Sequence, residues 1–590
     1  MNRLAAMMLP ATLVACAGPG GTGSSSGEIR DDPVTRVLSL ADEYTRGYYG
    51  HFPEDATEMG YPEAPLDRFS DRSPRGRAAW EAQEDAWLAA LSQLDSASLV
   101  GTEAEIPYGY LRERLEASIG RRICRTDLWN VSPTWTGWQN VMALVLGEQA
   151  VESAADHDRV AARLADVPRY LAAEMANLRD GVETRHTAPR TNVAAVIEQL
   201  DGILGAPIEQ SPFYSPAARS DDAAFRARIR TLVSDRVHPA VRAYREFLAD
   251  EYMARARDQI AVSSLPDGGS CYDASVRFWS SLTPSAREIH EAGVREMERI
   301  VAEMREIGRR SFGTEDVGAL MRLVRTDPRY TFRTAEEIVH YNQAAVDRAR
   351  AALPDWFGYI PKGEVILRPY PDYLKQSGGG FYSAGAEDGS RPGIYQFGTW
   401  EPGTISKAGQ EATAFHETWP GHHLQVAVAL EREGIHPITR YFYAAGFDEG
   451  WALYTERLAD EMGLYSSHLA RLGMLSAQAM RAGRLVVDPG MHVLGWSRSR
   501  AIDYMLEHTA ESESSITSEI DRYLAVPGQA TAYMMGSMRI AGLRAEAEQR
   551  LGDRFDIRAF HDRVIGNGSL TLALLEEVVD RWIGEQGRAP

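Results

Sequence analysis

The chain has 590 residues, enough for a large core and for more than one domain, and its 83 Asp plus Glu against 63 Lys plus Arg leave a formal charge of -20. An acidic surface of this kind repels phosphate backbones, and no basic run offsets it, so nucleic-acid binding is excluded. At 44% hydrophobic and 25% charged residues the composition is that of a folded globular body, and after the N-terminus no segment is apolar enough to cross a bilayer.

Taken in chain order, the first element reads as a targeting segment. Arg3 supplies a positive start, and Leu4 to Ala15 form an apolar stretch too short for a mature membrane span. Leu13-Val14-Ala15-Cys16 resembles a bacterial lipobox, which predicts a signal peptide over 1–15, cleavage before Cys16 and a lipid on its thiol. Residues 16–28, rich in Gly and Ser, then form a flexible tether to a mature domain over 29–590. Gly18 stands where an inner-membrane retention signal would have Asp, which points to the outer membrane facing the periplasm. Only Cys124 and Cys271 remain after processing. In an oxidising compartment they can pair, or they can lie as two separate buried thiols.

Helical periodicity dominates the mature chain. Apolar residues recur at spacings of three and four through Ala223–Ala256, Glu288–Ile307, Ala335–Leu353, Arg471–Arg484, Ala530–Arg550 and Leu570–Ile583. Leu282 to Ser285 gives the start signal for the second of these. Pro and Gly collect near 265–285, the best candidate for a subdomain break. Strand-type runs are confined to Glu364–Leu367 and Gly393–Phe397, with Gly378 to Tyr382 between them too glycine-rich for a regular element. A small sheet is therefore expected just before residue 408 in a mainly α-helical protein. The edge of Gly393–Phe397 is a candidate for pairing with an extended peptide.

The segment Ala414 to Gln425 holds three His and one Glu within eight residues, in a chain with 14 His. A His-Glu pair followed by a further His on a helix is the pattern in which two imidazoles hold zinc and the Glu activates a water. The spacing departs from HExxH. On a regular helix residue i+4 lies ~40° round, whereas His422, at i+6, would lie ~240° round on the wrong side, and His423, at i+7, ~10 Å along. Pro420 removes an N–H and its ring clashes with the preceding turn, while Gly421 tolerates unusual dihedrals. A wide turn there returns His422 to the place of an i+4 ligand. His416 and His422 are thus the expected ligands, with His423 as the alternate. His290-Glu291 also begins such a pair, but no second His follows within reach, and it is expected to be structural.

A third ligand is sought on a neighbouring element. Glu449 and Glu456, seven apart in Asp448 to Glu456, share a helical face among apolar Trp451, Leu453 and Tyr454. One carboxylate can bind metal while the other orients a His through its second nitrogen. Glu449 is assigned to the metal and Glu456 to the support, with the exchange of the two left open. Hydrolysis also needs an oxyanion donor; His492 and Tyr533 are the candidates, with Asp488 four residues before His492 placed to orient it.

HETWPGHHLQ at 416–425, DEGWALYTE at 448–456, RLVVDPGMHVLGW at 484–496, RYLAVPGQATAYMMG at 522–536 and FHDRVIGNGSLTLALLEEVV at 560–579 resemble, in order, the blocks of the bacterial family known as domain of unknown function 885. The resemblance reaches back through LPDGGSCY at 265–272 and so covers most of the mature chain. Met534 stands where a basic residue is common and Pro489 where Thr is common. The family in turn is similar to helical zincin-type peptidases, neurolysin-like and angiotensin-converting-enzyme-like. That likeness implies a large helical zincin-like fold with a deep cleft, zinc on His416, His422 and Glu449, and Glu417 as general base. The expected activity is zinc-dependent cleavage of peptide bonds. Two other activities fit the same residues: a zinc amidase acting on cell-envelope material, and a non-catalytic lipoprotein that binds metal or peptide.

Overall fold

The computed structural model describes residues 32–370, 379–389 and 391–588. The leader expected over 1–15, the tether over 16–28 and the lipidation site Cys16 lie outside the described residues. The described chain is mainly helical, with one small three-stranded sheet placed ahead of the histidine-rich segment. No helix among the described residues is long and apolar enough to cross a membrane.

The periodic run Glu288–Ile307 folds as the helix Ala286–Ile307. Ser285 and Glu288 open it with a reciprocal capping box, and Ile289, Met297, Ile300 and Met304 are buried. This face packs along the helix His468–His492, where the ring of His290 donates from Nδ1 to the Val486 carbonyl at 2.9 Å, a structural role as expected. The helix His468–His492 runs past the predicted end at Arg484 and through Pro489, and every residue from Leu485 to His492 is buried. Packing on all sides outweighs the cost of an internal proline. The run 223–256 folds as Ala223–Leu232 and His238–Glu246 with π-helical turns at Val233–Val237 and Phe247–Tyr252.

The sheet consists of β1 (Val365–Pro369), β2 (Gly380–Ser383) and β3 (Gly393–Phe397) in the order β1-β3-β2. β3 pairs in parallel with β1, Val365 opposite Gly393, and antiparallel with β2, Gly380 opposite Phe397. Two expectations are corrected. Gly380 to Ser383, thought too glycine-rich for a regular element, is a strand, because pairing to β3 supplies what propensity lacks. The strand Gly393–Phe397 has no open edge for a peptide, because it is the central strand. Its inward residues Tyr395 and Phe397 are buried, and the sheet leans on the helices Ala335–Ala352 and Gln410–Glu417.

The segment 265–285 is not an open linker. It holds the helix Gly268–Ser280, which packs against the helices Glu105–Arg121, Ala445–Glu461 and Ala532–Leu551. A disulfide joins Cys124 to Cys271 within this packing, their Cα atoms 4.7 Å apart. A separate apolar cluster lies earlier in the chain, gathering residues between Phe69 and Ala256. The main core brings the N-terminal helix Pro33–His51 against the C-terminal helices; Tyr49 donates to the Tyr441 carbonyl at 2.6 Å. That contact fixes the segment from which Tyr443 approaches the site.

Candidate metal centre

The histidine-rich segment is two helices separated by a tight break. Gln410–Glu417 ends at Glu417, His422–Glu431 begins at His422, and the Trp419–Pro420 peptide between them is cis. The Gly421 N–H reaches back to the Phe415 carbonyl at 3.1 Å. A Cβ at position 421 would lie 1.9 Å from the His416 carbonyl oxygen, so the turn closes only over a glycine. Trp451, on the facing helix Ala445–Glu461, donates from Nε1 to the Pro420 carbonyl at 3.1 Å and holds the break in place. The break turns the two imidazoles toward each other, with ring centroids 4.8 Å apart and planes at 88°. The bend expected from Pro420 and Gly421 is present.

Glu449 completes the group. Its Oε2 lies 3.4 Å from His416 Nε2 and 3.7 Å from His422 Nε2, and one donor atom from each of the three residues falls within 4.8 Å of the others. His416 is buried while His422 and Glu449 are partly exposed, so the cluster is open on one side. Burial pushes Glu449 up, but the two histidines outweigh it and hold the carboxyl well below the usual range. Burial likewise opposes charge on His416, and Glu449 and Glu456 overcome it, raising the imidazole to about 9. The arrangement is a negative pocket between two ring nitrogens, which favours a cation. Nitrogen and carboxylate donors of this number suit zinc, with a fourth position left open.

The two alternates take other roles. Glu456 is buried and accepts the His416 Nδ1–H at 2.9 Å, while Gln478 donates to its second oxygen at 3.0 Å. It therefore directs His416 Nε2 at the shared point. His423 points away. Its Nε2–H donates to the Gly363 carbonyl at 3.0 Å, and its Nδ1 accepts from the Tyr382 hydroxyl at 3.1 Å. Burial lowers it to about 4, and it ties the second helix to the sheet.

Glu417, the last residue of its helix, is half-buried next to His416 in the chain. After burial, its charge is the next cause that raises the hydroxyls of Tyr370, to about 12, and Tyr395. Those residues lie just after β1 and within β3, so the sheet forms a wall beside the Glu417 carboxylate.

The expected oxyanion donors separate. Tyr533 is partly exposed; burial and then Glu449 raise its hydroxyl against Arg522 and Arg484, and the Arg484 guanidinium lies 4.3 Å from its ring centroid. It is brought there by the contact between the helices Ala445–Glu461 and Ala532–Leu551. A Cβ on Gly536 would lie 1.7 Å from the Gly446 carbonyl oxygen, so the two backbones touch. His492 is corrected. It is fully buried, its Nδ1 accepts from the Val262 N–H at 3.1 Å, and its Nε2–H donates to the Tyr523 carbonyl at 3.0 Å. With both nitrogens engaged by backbone it has no donor to offer a substrate. Asp488 does not orient it either, accepting instead from the Tyr272 hydroxyl at 2.6 Å and the Gly528 N–H at 3.1 Å.

One residue bonded to the cluster escaped the sequence argument. Tyr443 donates its hydroxyl to Glu449 Oε1 at 2.7 Å. It stands in the loop ahead of the helix Ala445–Glu461, where no periodicity or motif marks it. Asp448, beside Glu449, is buried and accepts from Gln425, Ser569 and the Ala444 N–H, fixing that loop to the helix His422–Glu431.

Two solved structures share this fold. One is described as "the putative lipoprotein from Colwellia psychrerythraea"; it superimposes with a TM-score of 0.86 at 25% identity, covering 94% of this chain and 99% of its own. The other, "a putative lipoprotein of unknown function from Shewanella oneidensis", gives a TM-score of 0.70 at 18% identity over 93% of this chain and 99% of its own. No curated protein matches the chain. The sequence profile of the family described as bacterial protein of unknown function (DUF885) matches residues 53–579, and the chain belongs to that family.

Proposed function

We propose that the protein is a zinc-dependent hydrolase that cleaves peptide bonds. The observation that carries this is the convergence of His416 Nε2, His422 Nε2 and Glu449 Oε2 on one point, with Glu417 adjacent in the chain. The helical body, the broken His-Glu helix and a carboxylate ligand from the next long helix favour a zincin-like fold with the site in a cleft. When bound, zinc at that point supplies Lewis acidity, polarising a carbonyl and making a water molecule acidic. Glu417 takes the proton of the attacking water and returns it to the leaving amine. Tyr533, whose hydroxyl feels the charge of Glu449, donates to the oxygen on which negative charge develops, while Tyr443 gives its one proton to Glu449 and holds that ligand in place. Glu456 keeps the His416 ring in the tautomer that presents Nε2.

The lipobox-like Leu13 to Cys16 supports a reading in which this activity works at the cell envelope, lipid-anchored through Cys16 in the outer membrane and facing the periplasm. The description of both structural relatives as lipoproteins supports that placement.

The test is the Glu417→Ala variant, assayed by mass spectrometry on a mixed peptide pool and on purified cell wall. Loss of cleavage with about one zinc retained per chain is the expected result. Cleavage that survives the substitution contradicts the mechanism. Products from cell wall alone would redirect the reading to an envelope amidase.

A further inference from the structure

Two of the blocks singled out in the sequence meet beside Tyr533. Arg484 opens the block 484–496 on the helix His468–His492, and Arg522 and Tyr523 open the block 522–536 on the helix Glu513–Ala525. Tyr533 stands in the first turn of the helix Ala532–Leu551. Arg484 is 6% exposed and is held at two points. Its Nε donates to the Tyr523 hydroxyl at 3.0 Å and its Nη2 to Glu519 Oε2 at 2.9 Å. Tyr523 closes the triangle by donating its own hydroxyl to the same oxygen at 2.8 Å. Arg522 reaches Glu519 as well, from Nη2 at 2.9 Å and from Nε at 3.1 Å, and gives Nη1 to Gln529.

So braced, the Arg484 guanidinium lies over the Tyr533 ring, 4.3 Å from its centroid. Its Nη1 is buried without a hydrogen-bond partner. An unmet donor on a buried cation is costly unless something else draws on the charge, and the ring is placed to do so. Packing alone does not call for this arrangement. Two buried guanidiniums sharing the carboxylate of Glu519 could be replaced by apolar side chains of similar volume at little or no loss of stability. Tyr533, in turn, is not held by polar bonds: among the described residues no hydrogen bond fixes its hydroxyl, whereas the hydroxyls of Tyr443 and Tyr523 are both engaged. Its ring therefore takes its place from what it stacks on. Burial and Glu449 favour the protonated hydroxyl, and Arg522 and Arg484 oppose them, which makes the O–H the stronger donor.

We propose that Arg484 is a positioning residue for the hydrolytic site and acts through Tyr533. Braced by Glu519 and Tyr523, its guanidinium holds the Tyr533 ring and strengthens the hydroxyl as donor to the oxygen on which negative charge develops. The proposal rests on the hydrolase reading of the metal cluster and adds the groups that prepare its donor. A fixed cation behind a phenol gains most when negative charge appears in front of it, so the contribution is larger in the transition state than with bound substrate.

The experiment is calorimetric binding of a phosphinic tetrapeptide, whose tetrahedral anion stands for the developing oxyanion, to zinc-loaded protein carrying Arg484→Gln, Tyr533→Phe or both. Each single substitution is expected to weaken binding about tenfold, and the double variant to bind as weakly as Tyr533→Phe alone, to within about twofold. Arg484→Lys keeps a buried cation opposite Glu519 and carries the same test if the Gln variant does not fold. It should lose about threefold with Tyr533 present and nothing in the Tyr533→Phe background. Melting curves and zinc content accompany each variant. Binding by Arg484→Gln equal to wild type overturns the proposal. So do losses that multiply in either double variant, because a residue that serves only the fold does its harm with or without the Tyr533 hydroxyl. Turnover separates the two readings. Wild type that binds with this coupling but cleaves no peptide keeps the Arg484–Tyr533 pair and removes the hydrolase; wild type that cleaves peptides with the two residues uncoupled does the reverse.

Discussion

Glu456 accepts the His416 Nδ1–H at 2.9 Å from a position 40 residues further along the chain. This bond sets which nitrogen of His416 faces Glu449, and Gln478 and Leu453 in turn hold the far end, Gln478 donating to both the Glu456 carboxylate and the Leu453 carbonyl. Replacing Glu456 by Gln removes the charge and loosens the tautomer while keeping the volume. Zinc affinity measured against a chromophoric chelator should fall about 10- to 100-fold. An unchanged affinity would show that His416 is oriented by packing alone.

His422 and His423 are adjacent but should behave oppositely. His422→Ala removes a donor nitrogen from the cluster and should abolish stoichiometric zinc. His423→Ala should retain about one zinc per chain and lower the melting temperature, since it breaks bonds to Gly363 and Tyr382. Metal counting on the two variants separates them, and loss of zinc from the second alone would reverse the assignment.

Tyr443→Phe should lower kcat by roughly 10- to 100-fold with zinc retained. That is smaller than the ~10²–10³ of an oxyanion donor, because Tyr443 acts through Glu449 and not on the substrate. The double variant with Tyr533→Phe should lose more than either alone. A KM effect without a kcat effect would assign Tyr443 to substrate binding only.

His492 predicts an acid-labile contribution to folding. Burial lowers its imidazole from 6.5 to about 4, Arg257 adding to the fall while the bond to the Tyr523 carbonyl opposes it. The unfolded ring takes up a proton below about pH 6.5 and the folded ring does not, so stability is full above that value and declines toward pH 4. The span corresponds to up to about 3 kcal/mol. Urea unfolding at pH 7.5 and pH 5 should show a steeper loss for wild type than for His492→Asn. Parallel losses would mean that His492 does not carry it.

Much of this site was legible because its chemistry is compressed into short segments. His416, Glu417 and His422 stand in one motif, and the seven-residue spacing of Glu449 and Glu456 already put both on one helical face. Pro420 and Gly421 announced the break, since a regular helix could not bring 416 and 422 together. His492 was misread because a His in a recognisable block looks the same whether it faces a cleft or a backbone carbonyl; only the fold revealed Val262 and Tyr523 around it. Tyr443 was invisible for the converse reason, lying in a loop positioned by Tyr49 and Ser569 through contacts distant in sequence. The central place of β3 was equally hidden, because its alternation is the same at an edge as in the middle.

Metal analysis of the purified protein, wild type against the His416→Ala/His422→Ala double variant, tests the central claim most directly. The account predicts about one tightly held zinc per wild-type chain, removable by chelator, and none in the folded double variant. Wild-type protein that binds no zinc when offered it, or a double variant that binds as much, would contradict it.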